Sequence, residues 1–307
     1  MTFLALLTKE LRLRMRRERT VWVIVLYILF MGLLGWLTIT TTSSTNGTYA
    51  MSYAGTNLYG MLAQLQLFLI LFIAPAFTAT VVNGEKERQT FDLLLCSRLS
   101  AFSLVSAKLL AGLTNAFLLI AASIPLFSLV FFFGGVSPAQ LLQALLVYLI
   151  TAITVGTFGL LCSTLLYRPA MSTAITYMGI LLWVIVPWIL TFIDTITRTT
   201  RVVPQTGTII RGTAPQSQLP APSGWLIFNP EQALNTTYSL GSSVGNYTIL
   251  GLSLPSWAAY ALIGVIVTIL IFLLSVWTVK PYPIARLRTK IKKTIKNRLH
   301  SNPEIAV

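Results

Sequence analysis

Six long runs of apolar residues constrain the fold of this 307-residue chain more than any other feature. A helix of about 20 residues crosses the hydrocarbon core of a bilayer, and each run is close to or above that length. With 55% hydrophobic and only 10% charged residues, the chain leaves no room for a soluble domain of ordinary size. The sequence therefore predicts an all-α membrane protein with six transmembrane helices, at about 21–39, 58–82, 102–133, 139–167, 172–193 and 256–279.

The distribution of basic residues predicts the orientation of the chain. Of 22 Lys and Arg residues, three lie in one long polar segment before the sixth run: Arg198, Arg201 and Arg211. With both termini in the cytoplasm, the remaining nineteen all fall on the cytoplasmic side. Cytoplasmic loops of membrane proteins carry an excess of Lys and Arg. We therefore expect a multi-pass protein of the cell (plasma) membrane with both termini cytoplasmic.

The regions outside the runs suggest three parts. Residues 1–20 alternate apolar and basic positions, which predicts an interfacial amphipathic helix or, alternatively, a plain basic leader. Residues 21–279 form the six-helix membrane domain. Residues 280–307 form a basic cytoplasmic tail. We expect this tail to be attracted to anionic lipid headgroups, with nucleic-acid binding as the alternative.

The longest polar segment, at about 194–255, is expected on the external side. Within it, residues 229–232 read Asn-Pro-Glu-Gln, which combines a helix cap with Pro at the first helical position. Gly241 would end that helix about three turns later. The segment therefore predicts external helical material before the sixth span.

A concentration of charge between the second and third runs is unusual in so apolar a chain. Five charged residues fall within eight positions: Glu85, Lys86, Glu87, Arg88 and Asp92. On a helix, one face would carry Glu85, Arg88, Gln89 and Asp92, and a separate apolar stripe would carry Phe91, Leu94 and Leu95. This pattern predicts a short amphipathic helix at the membrane surface over 85–95, with its charged face toward water or a protein partner.

The same stretch resembles the signature of the ABC-2 type permeases, the membrane subunits of one class of ATP-driven exporters. Their pattern runs roughly Glu-x-Glu-x-Gly-Thr-Leu-Glu-x-Leu-Leu, followed by a turn and a Gly-Lys pair that opens the third membrane helix. Matching residues here are Glu85, Glu87, Thr90, Leu94, Leu95 and Lys108, and Phe91 and Asp92 are mild substitutions. Gln89 replaces the usual Gly, and Arg98 stands where Pro is common.

This resemblance implies the permease half of an ABC exporter. Two copies, or this chain and a related permease, would pair in the membrane, and each would dock a separately encoded ATPase subunit that binds the ATP. The helix at 85–95 would be the coupling helix between spans two and three. Residues that contact or orient against the ATPase would be Glu85, Glu87, Arg88, Thr90, Phe91 and Asp92. The alternative is a solvated surface helix that merely begins the third span.

The chain itself has no pattern for nucleotide binding or catalysis. It lacks a Gly-x-x-x-x-Gly-Lys-Ser/Thr loop, its single His is His300 in the tail, and no His, Cys and carboxylate cluster has metal-ligand spacing. We therefore expect neither an enzyme nor a metal site or cofactor within this chain.

The spans are nearly free of ionisable groups, with Lys108 and Asp194 expected near helix ends, where their side chains can reach the headgroups. This disfavours an ion-coupled secondary carrier, although a sodium carrier that uses backbone carbonyls stays possible. A non-transporting membrane anchor or assembly protein is the other alternative.

The substrate and its binding residues cannot be identified from the sequence. Several polar residues lie in the spans and could line a route or form interhelical hydrogen bonds: Gln64, Gln66, Thr78, Thr114, Asn115, Thr151 and Thr154. Gly156 and Gly159 could permit close helix contact.

Overall fold

The computed structural model describes residues 18–42, 50–87, 101–201, 224–238, 246–249 and 252–279. The α-helices are α1 (Glu18–Thr42), α2 (Ala50–Thr78), α3 (Asn83–Glu87), α4 (Ala101–Phe133), α5 (Pro138–Leu165), α6 (Pro169–Arg201), α7 (Pro230–Tyr238) and α8 (Ser256–Val279). A 3-10 helix, Gly224–Phe228, precedes α7, and the strands β1 (Asn246–Ile249) and β2 (Leu252–Pro255) lie between α7 and α8.

Helices long and apolar enough to cross a membrane dominate the described residues. Five such segments occur there: Ala54–Glu87, Ala101–Ser128, Pro138–Leu165, Pro169–Thr197 and Ser256–Val279. Within α1 the apolar stretch is Val25–Leu37. The predicted all-α membrane protein is confirmed, and six as the number of spans stays a prediction. The predicted N-terminal helix at 1–20 and the tail at 280–307 lie outside the described residues, apart from the start of α1.

Helix α5 lies at the centre of the bundle, where it packs against α2, α4, α6 and α8. Hydroxyl pairs join it to α8 at three levels: Thr151 with Tyr260 at 2.8 Å, Thr154 with Thr268 at 2.8 Å, and Thr164 with Thr278 at 3.2 Å. In lipid, where apolar surface does not by itself hold helices together, such hydrogen bonds help to fix helix pairs. The pairs run in the same order along both helices, so α5 and α8 are parallel.

Small residues let α2, α4 and α5 approach closely at Thr78. A Cβ atom added at Gly112 would lie 2.8 Å from Thr78 Cγ2, and one added at Gly159 would overlap the Thr78 hydroxyl. Gly156 similarly faces Leu113 of α4. The close contact that the sequence allowed at Gly156 and Gly159 is therefore present, as expected for small residues at membrane helix crossings.

A tight turn connects α4 to α5. Gly134 and Gly135 have φ values of +76° and +88°, which only Gly adopts without strain. Ser137 then caps α5 in a reciprocal capping box with Gln140, and Pro138 occupies the first turn.

The short antiparallel hairpin of β1 and β2 was not predicted from the sequence. Its register pairs Asn246 with Pro255 and Ile249 with Leu252. Each strand has only four residues, too few for a period-two pattern to stand out from the surrounding polar segment. The hairpin leads directly into α8.

Candidate functional site

The chain between α2 and α4 leaves the bundle through a compact turn. The Val82 carbonyl accepts hydrogen bonds from the backbone N–H groups of Glu85 and Lys86, both at 3.1 Å. The Gly84 N–H donates to the Thr80 carbonyl, also at 3.1 Å. Residues 79–87, called here the 79–87 segment, therefore continue from α2 as successive helical turns and end in the predicted charged stretch.

An ion pair joins the 79–87 segment to α4. Lys108 Nζ contacts Glu85 Oε1, and the two side chains are only 6% and 24% exposed, respectively. An opposite charge offsets the cost of taking each group out of water. The prediction that Lys108 reaches the headgroups was wrong, because this side chain turns inward to Glu85. Glu85 is partly buried by this contact, and the face that it was predicted to share with Arg88 and Asp92 lies outside the described residues.

Ser163, near the end of α5, holds the backbone of the 79–87 segment. Its hydroxyl oxygen accepts hydrogen bonds from the N–H groups of Val82, at 3.0 Å, and Asn83, at 3.1 Å. The first N–H groups of a helix have no partner within that helix. Ser163 therefore acts toward α3 as a helix cap supplied from a distant part of the sequence.

The last carbonyls of α5 lack hydrogen-bond partners within that helix. The side chains of Asn83 and Lys86 donate hydrogen bonds to them. With its amide oriented to match the surrounding acceptors, Asn83 Nδ2 donates to the carbonyls of Leu166, at 2.7 Å, and Ser163. Lys86 Nζ donates to the Thr164 carbonyl. A cation also suits the negative end of a helix dipole.

Two further contacts extend this network. The Ser172 hydroxyl, in the first turn of α6, donates to the Ala79 carbonyl at 2.8 Å. Lys86 Nζ lies 5.7 Å from the centre of the Tyr167 ring, in the turn between α5 and α6. The residues that join the two turns through these hydrogen bonds are called here the capping cluster: Asn83, Lys86, Ser163 and Ser172.

The residues predicted to contact an ATPase are only partly described. Glu85 forms the ion pair with Lys108, and Glu87 is the exposed last residue of α3. The other four, Arg88, Thr90, Phe91 and Asp92, lie outside the described residues. Of the helix predicted at 85–95, only residues 85–87 are described, as the end of α3, which begins at Asn83. The rest of that helix stays a prediction.

Three residues of the capping cluster are not among the predicted site residues: Asn83, Ser163 and Ser172. Each is fully buried, and each finds its partner about 80 to 93 residues away in the chain. Asn83 did carry one signal, since an Asn-Gly pair follows a long apolar run. Single Ser residues in membrane helices carry no such signal, because their hydroxyls commonly donate to carbonyls of their own helix.

Helix α7 covers the opposite end of the bundle, where it packs against α2, α5 and α8. Asn229 caps it by accepting from the Glu231 N–H at 2.9 Å, and it also donates to the Val184 carbonyl of α6 at 3.3 Å. The predicted cap and the Pro at the first helical position are confirmed. The described helix ends at Tyr238, and Gly241 lies outside the described residues.

Aromatic packing holds α7 against the bundle. The Tyr59 ring meets those of Tyr238 and Phe127 edge to face, each at 5.7 Å between ring centres, and Leu234 is fully buried. Burial is the main cause that raises the pKa of the Tyr238 hydroxyl, and the negative charge of Glu231 raises it further. Single hydrogen bonds add to this apolar and aromatic contact, from Trp188 Nε1 to Glu231 at 3.2 Å and from the Ser256 hydroxyl to Thr236 at 2.5 Å.

Three polar residues of the spans form hydrogen bonds between helices, whereas the Thr78 and Thr114 hydroxyls donate to carbonyls of their own helices. Thr151 and Thr154 bond to α8, and buried Gln66 accepts from Tyr27 of α1. A cavity of about 180 Å³ lies between α5, α6 and α8 and is almost wholly apolar, with Phe158 and Trp183 among its lining residues. Interhelical hydrogen bonds therefore explain why the polar side chains of Gln66, Thr151 and Thr154 lie within the spans.

Comparison with known proteins supports one family. A family model described as ABC-2 family transporter protein matches residues 4–281, which is most of the chain. A search of curated proteins finds none that matches. The match includes every described helix, both turns of the capping cluster and the charged stretch after α3. The chain therefore belongs to the ABC-2 family of transporter proteins, as a membrane component of transport rather than a catalyst.

Proposed function

We propose that this protein is the permease subunit of an ATP-driven exporter. It forms the translocation path and couples to a separate ATPase subunit through the 79–87 segment and the residues that follow it. ATP is bound and hydrolysed by the partner, and this chain holds no cofactor. Six helices cross the plasma membrane, with both termini and the 79–87 segment on the cytoplasmic side.

One observation carries the proposal: an exposed charged element is fixed firmly to the bundle. Glu87 is exposed at the end of α3, while Glu85, two residues earlier, is paired with Lys108 inside α4. The short helix is thus tied to the membrane helices on one side and presents charge on the other. A force applied to it by a partner would pass into α4 and, through the capping cluster, into α5.

The proposed site residues take roles according to position. Glu87, Arg88, Thr90, Phe91 and Asp92 contact the ATPase or orient the coupling helix against it, and Glu85 orients the helix through Lys108. Two copies of the chain, or this chain and a related permease, pair so that each docks one ATPase. The basic segments at the termini attract the anionic lipids of the inner leaflet.

Charge substitution on the coupling helix tests the proposal. We expect Glu87→Ala and Arg88→Glu to leave the protein folded and inserted. Glu87 is exposed, and substitutions at exposed positions usually change stability by less than about 0.5 kcal/mol. At an interface, reversing one charge leaves its partner unpaired and weakens binding. The measurements are co-purification of the ATPase and ATP-driven transport in vesicles, with Glu231→Ala at the opposite end of the bundle as the matched control.

Three outcomes separate this function from its alternatives. Loss of co-purification or transport in both charge variants, with Glu231→Ala normal, supports coupling at this site. Normal transport by both variants contradicts it. If no ATPase co-purifies with the unmodified protein, a membrane anchor or a secondary carrier becomes the better account.

The proposed orientation has its own test. In a background in which Cys96 and Cys162 are replaced, single cysteines at Thr45 and Ser217 should react with an impermeant thiol reagent in intact cells. A cysteine at Asn297 should react only after the cells are opened. Labelling at Asn297 in intact cells with protection at Ser217 would invert the topology.

A further inference from the structure

We propose that the capping cluster transmits movement from the 79–87 segment to α6, so that the turn after α2 and the turn before α6 move as one body. This inference rests on the proposed coupling to an ATPase and extends it to Asn83, Lys86, Ser163 and Ser172. None of these touches a transported molecule in this account. They are positioning residues that connect the coupling helix to a second membrane helix.

The contacts in the cluster are reciprocal, which makes the connection stiff. Ser163 accepts two N–H groups from the 79–87 segment, and Asn83 donates to two carbonyls at the end of α5. Each turn therefore completes the hydrogen bonding of the other. Neither can shift by itself without leaving buried backbone groups unsatisfied, which is unfavourable away from water.

Burial prevents water from replacing these bonds. Asn83, Ser163 and Ser172 are each 0% exposed. An exposed capping contact could exchange for water during a movement, because water would satisfy the same groups. Water cannot replace the hydrogen bonds of these three residues in this way, so a displacement of the 79–87 segment carries its partners along with it.

Helix α6 is the element that such a connection can move. It leaves much of its surface exposed, with Met178 at 61% and Phe192 at 67%, whereas α5 is mostly buried. Ser172 binds the 79–87 segment from the first turn of α6. Farther along α6, the Tyr177 hydroxyl donates to the Phe72 carbonyl of α2 at 2.8 Å. Force from the coupling helix thus enters α6 at its first turn.

Two fluorescent reporters can separate transmission from docking. Bimane is attached to a single cysteine, either at Gly84, where an added Cβ atom meets no neighbour within 4 Å, or at Met178 on α6. Cys96 and Cys162 are replaced in both proteins. Each is purified with its ATPase, and the emission is recorded before and after addition of MgATP with vanadate.

The test variant is Ser163→Ala/Ser172→Ala, which removes the two hydroxyls that bind the 79–87 segment, one from α5 and one from α6. Thr173→Ala is the matched control, because the Thr173 hydroxyl lies beside Ser172 but donates only to Ala170 of its own helix, at 2.9 Å. The single-cysteine reporter protein without further substitution is called the parent. Ser172→Thr keeps the hydroxyl and should behave like the parent. If the double variant does not give a monodisperse complex, Ser172→Ala replaces it and is judged by the same outcomes.

In the parent and the Thr173→Ala control, we expect nucleotide to change the emission at both reporters. In the test variant, the change at Gly84 should persist while the change at Met178 is lost. Unaltered changes at both reporters would overturn the inference, and so would loss at both, which would place the cluster in docking. If neither reporter responds in the parent, the proposed coupling itself fails, which is a distinct result.

Discussion

The two ends of the bundle are closed by different kinds of interaction. At the Asn83 end, an ion pair and the capping cluster join the 79–87 segment to α4, α5 and α6. At the Asn229 end, α7 packs on the bundle through the side chains of Tyr59, Leu234 and Tyr238. Hydrogen bonds there join single residue pairs, such as Asn229 with Val184, and do not form a reciprocal cluster. Directional bonds between buried polar groups allow one geometry, whereas apolar contact depends on volume and tolerates repacking. The difference suggests that the Asn83 end is built to transmit position and the Asn229 end to seal.

The largest effect is expected from breaking the ion pair. Lys108→Met removes the cation but keeps an unbranched side chain of similar length, so Glu85 loses the opposite charge of Lys108. Removing one partner of a buried pair typically destabilises by 3–5 kcal/mol. Because a quarter of the Glu85 side chain is exposed, we expect the lower end, about 3 kcal/mol. SDS-dependent unfolding of the purified protein in mixed micelles measures the change.

A double variant serves as the control for this prediction. Glu85→Met/Lys108→Met replaces both charges with apolar groups, and it should recover most of the lost stability, because neither charge then remains buried by itself. Equal stability of Lys108→Met and the unmodified protein would show that the pair does not hold α4 to the 79–87 segment.

A second prediction compares near-isosteric substitutions at the two ends. Asn83→Leu fills a similar volume but leaves the Leu166 and Ser163 carbonyls without their donor, and we expect a loss of about 2 kcal/mol. Leu234→Met preserves volume at the opposite end and should cost less than about 1 kcal/mol. The same unfolding assay applies to both. A larger loss for Leu234→Met than for Asn83→Leu would reverse the comparison between the two ends.

The helix crossing beneath the 79–87 segment should be intolerant of added volume. Gly159→Ala places a methyl group against the Thr78 hydroxyl, and 3.3 Å from the Ala79 nitrogen. Overpacking of this kind typically costs about 1–2 kcal/mol. Gly32→Ala in α1 is the matched control, since a methyl group there meets nothing within 4 Å. Similar unfolding midpoints for the two variants would contradict a close crossing at Gly159.

The smallest effect is expected for the hydroxyl pairs between α5 and α8. Tyr260→Phe removes one hydrogen bond to Thr151, and interhelical bonds in membranes are worth about 0.6 kcal/mol on average. Tyr167→Phe provides the comparison, because that side chain is 75% exposed. A loss above about 2 kcal/mol for Tyr260→Phe would mean that this bond does more than join the two helices.

Much of the architecture could be predicted from the sequence because apolar length is a strong signal. The run at about 256–279 coincides with α8, and that at 102–133 differs from α4 by one residue. Capping chemistry is also local, so Asn229 and Pro230 correctly marked the start of α7. These features depend on neighbouring residues alone, and no knowledge of the fold is needed to recognise them.

The contacts at the Asn83 end could not be predicted because their partners are distant in the chain. A helix that is apolar on every side has no pattern that reveals which face meets its neighbours. Lys108 was therefore assigned to the headgroups, and Glu85 to an exposed face. The roles of Ser163 and Ser172 could not be predicted, because nothing in the sequence links these residues to Asn83 or Ala79. Substrate residues were not identified for the same reason.

Hydrogen exchange of the permease with and without its ATPase tests the central claim most directly. If the coupling helix is the docking site, peptides covering 83–95 should exchange more slowly in the complex, because an interface shields their backbone N–H groups. Peptides covering 224–238, at the Asn229 end, should exchange at the same rate in both samples. Protection at 224–238 with none at 83–95 would contradict the account.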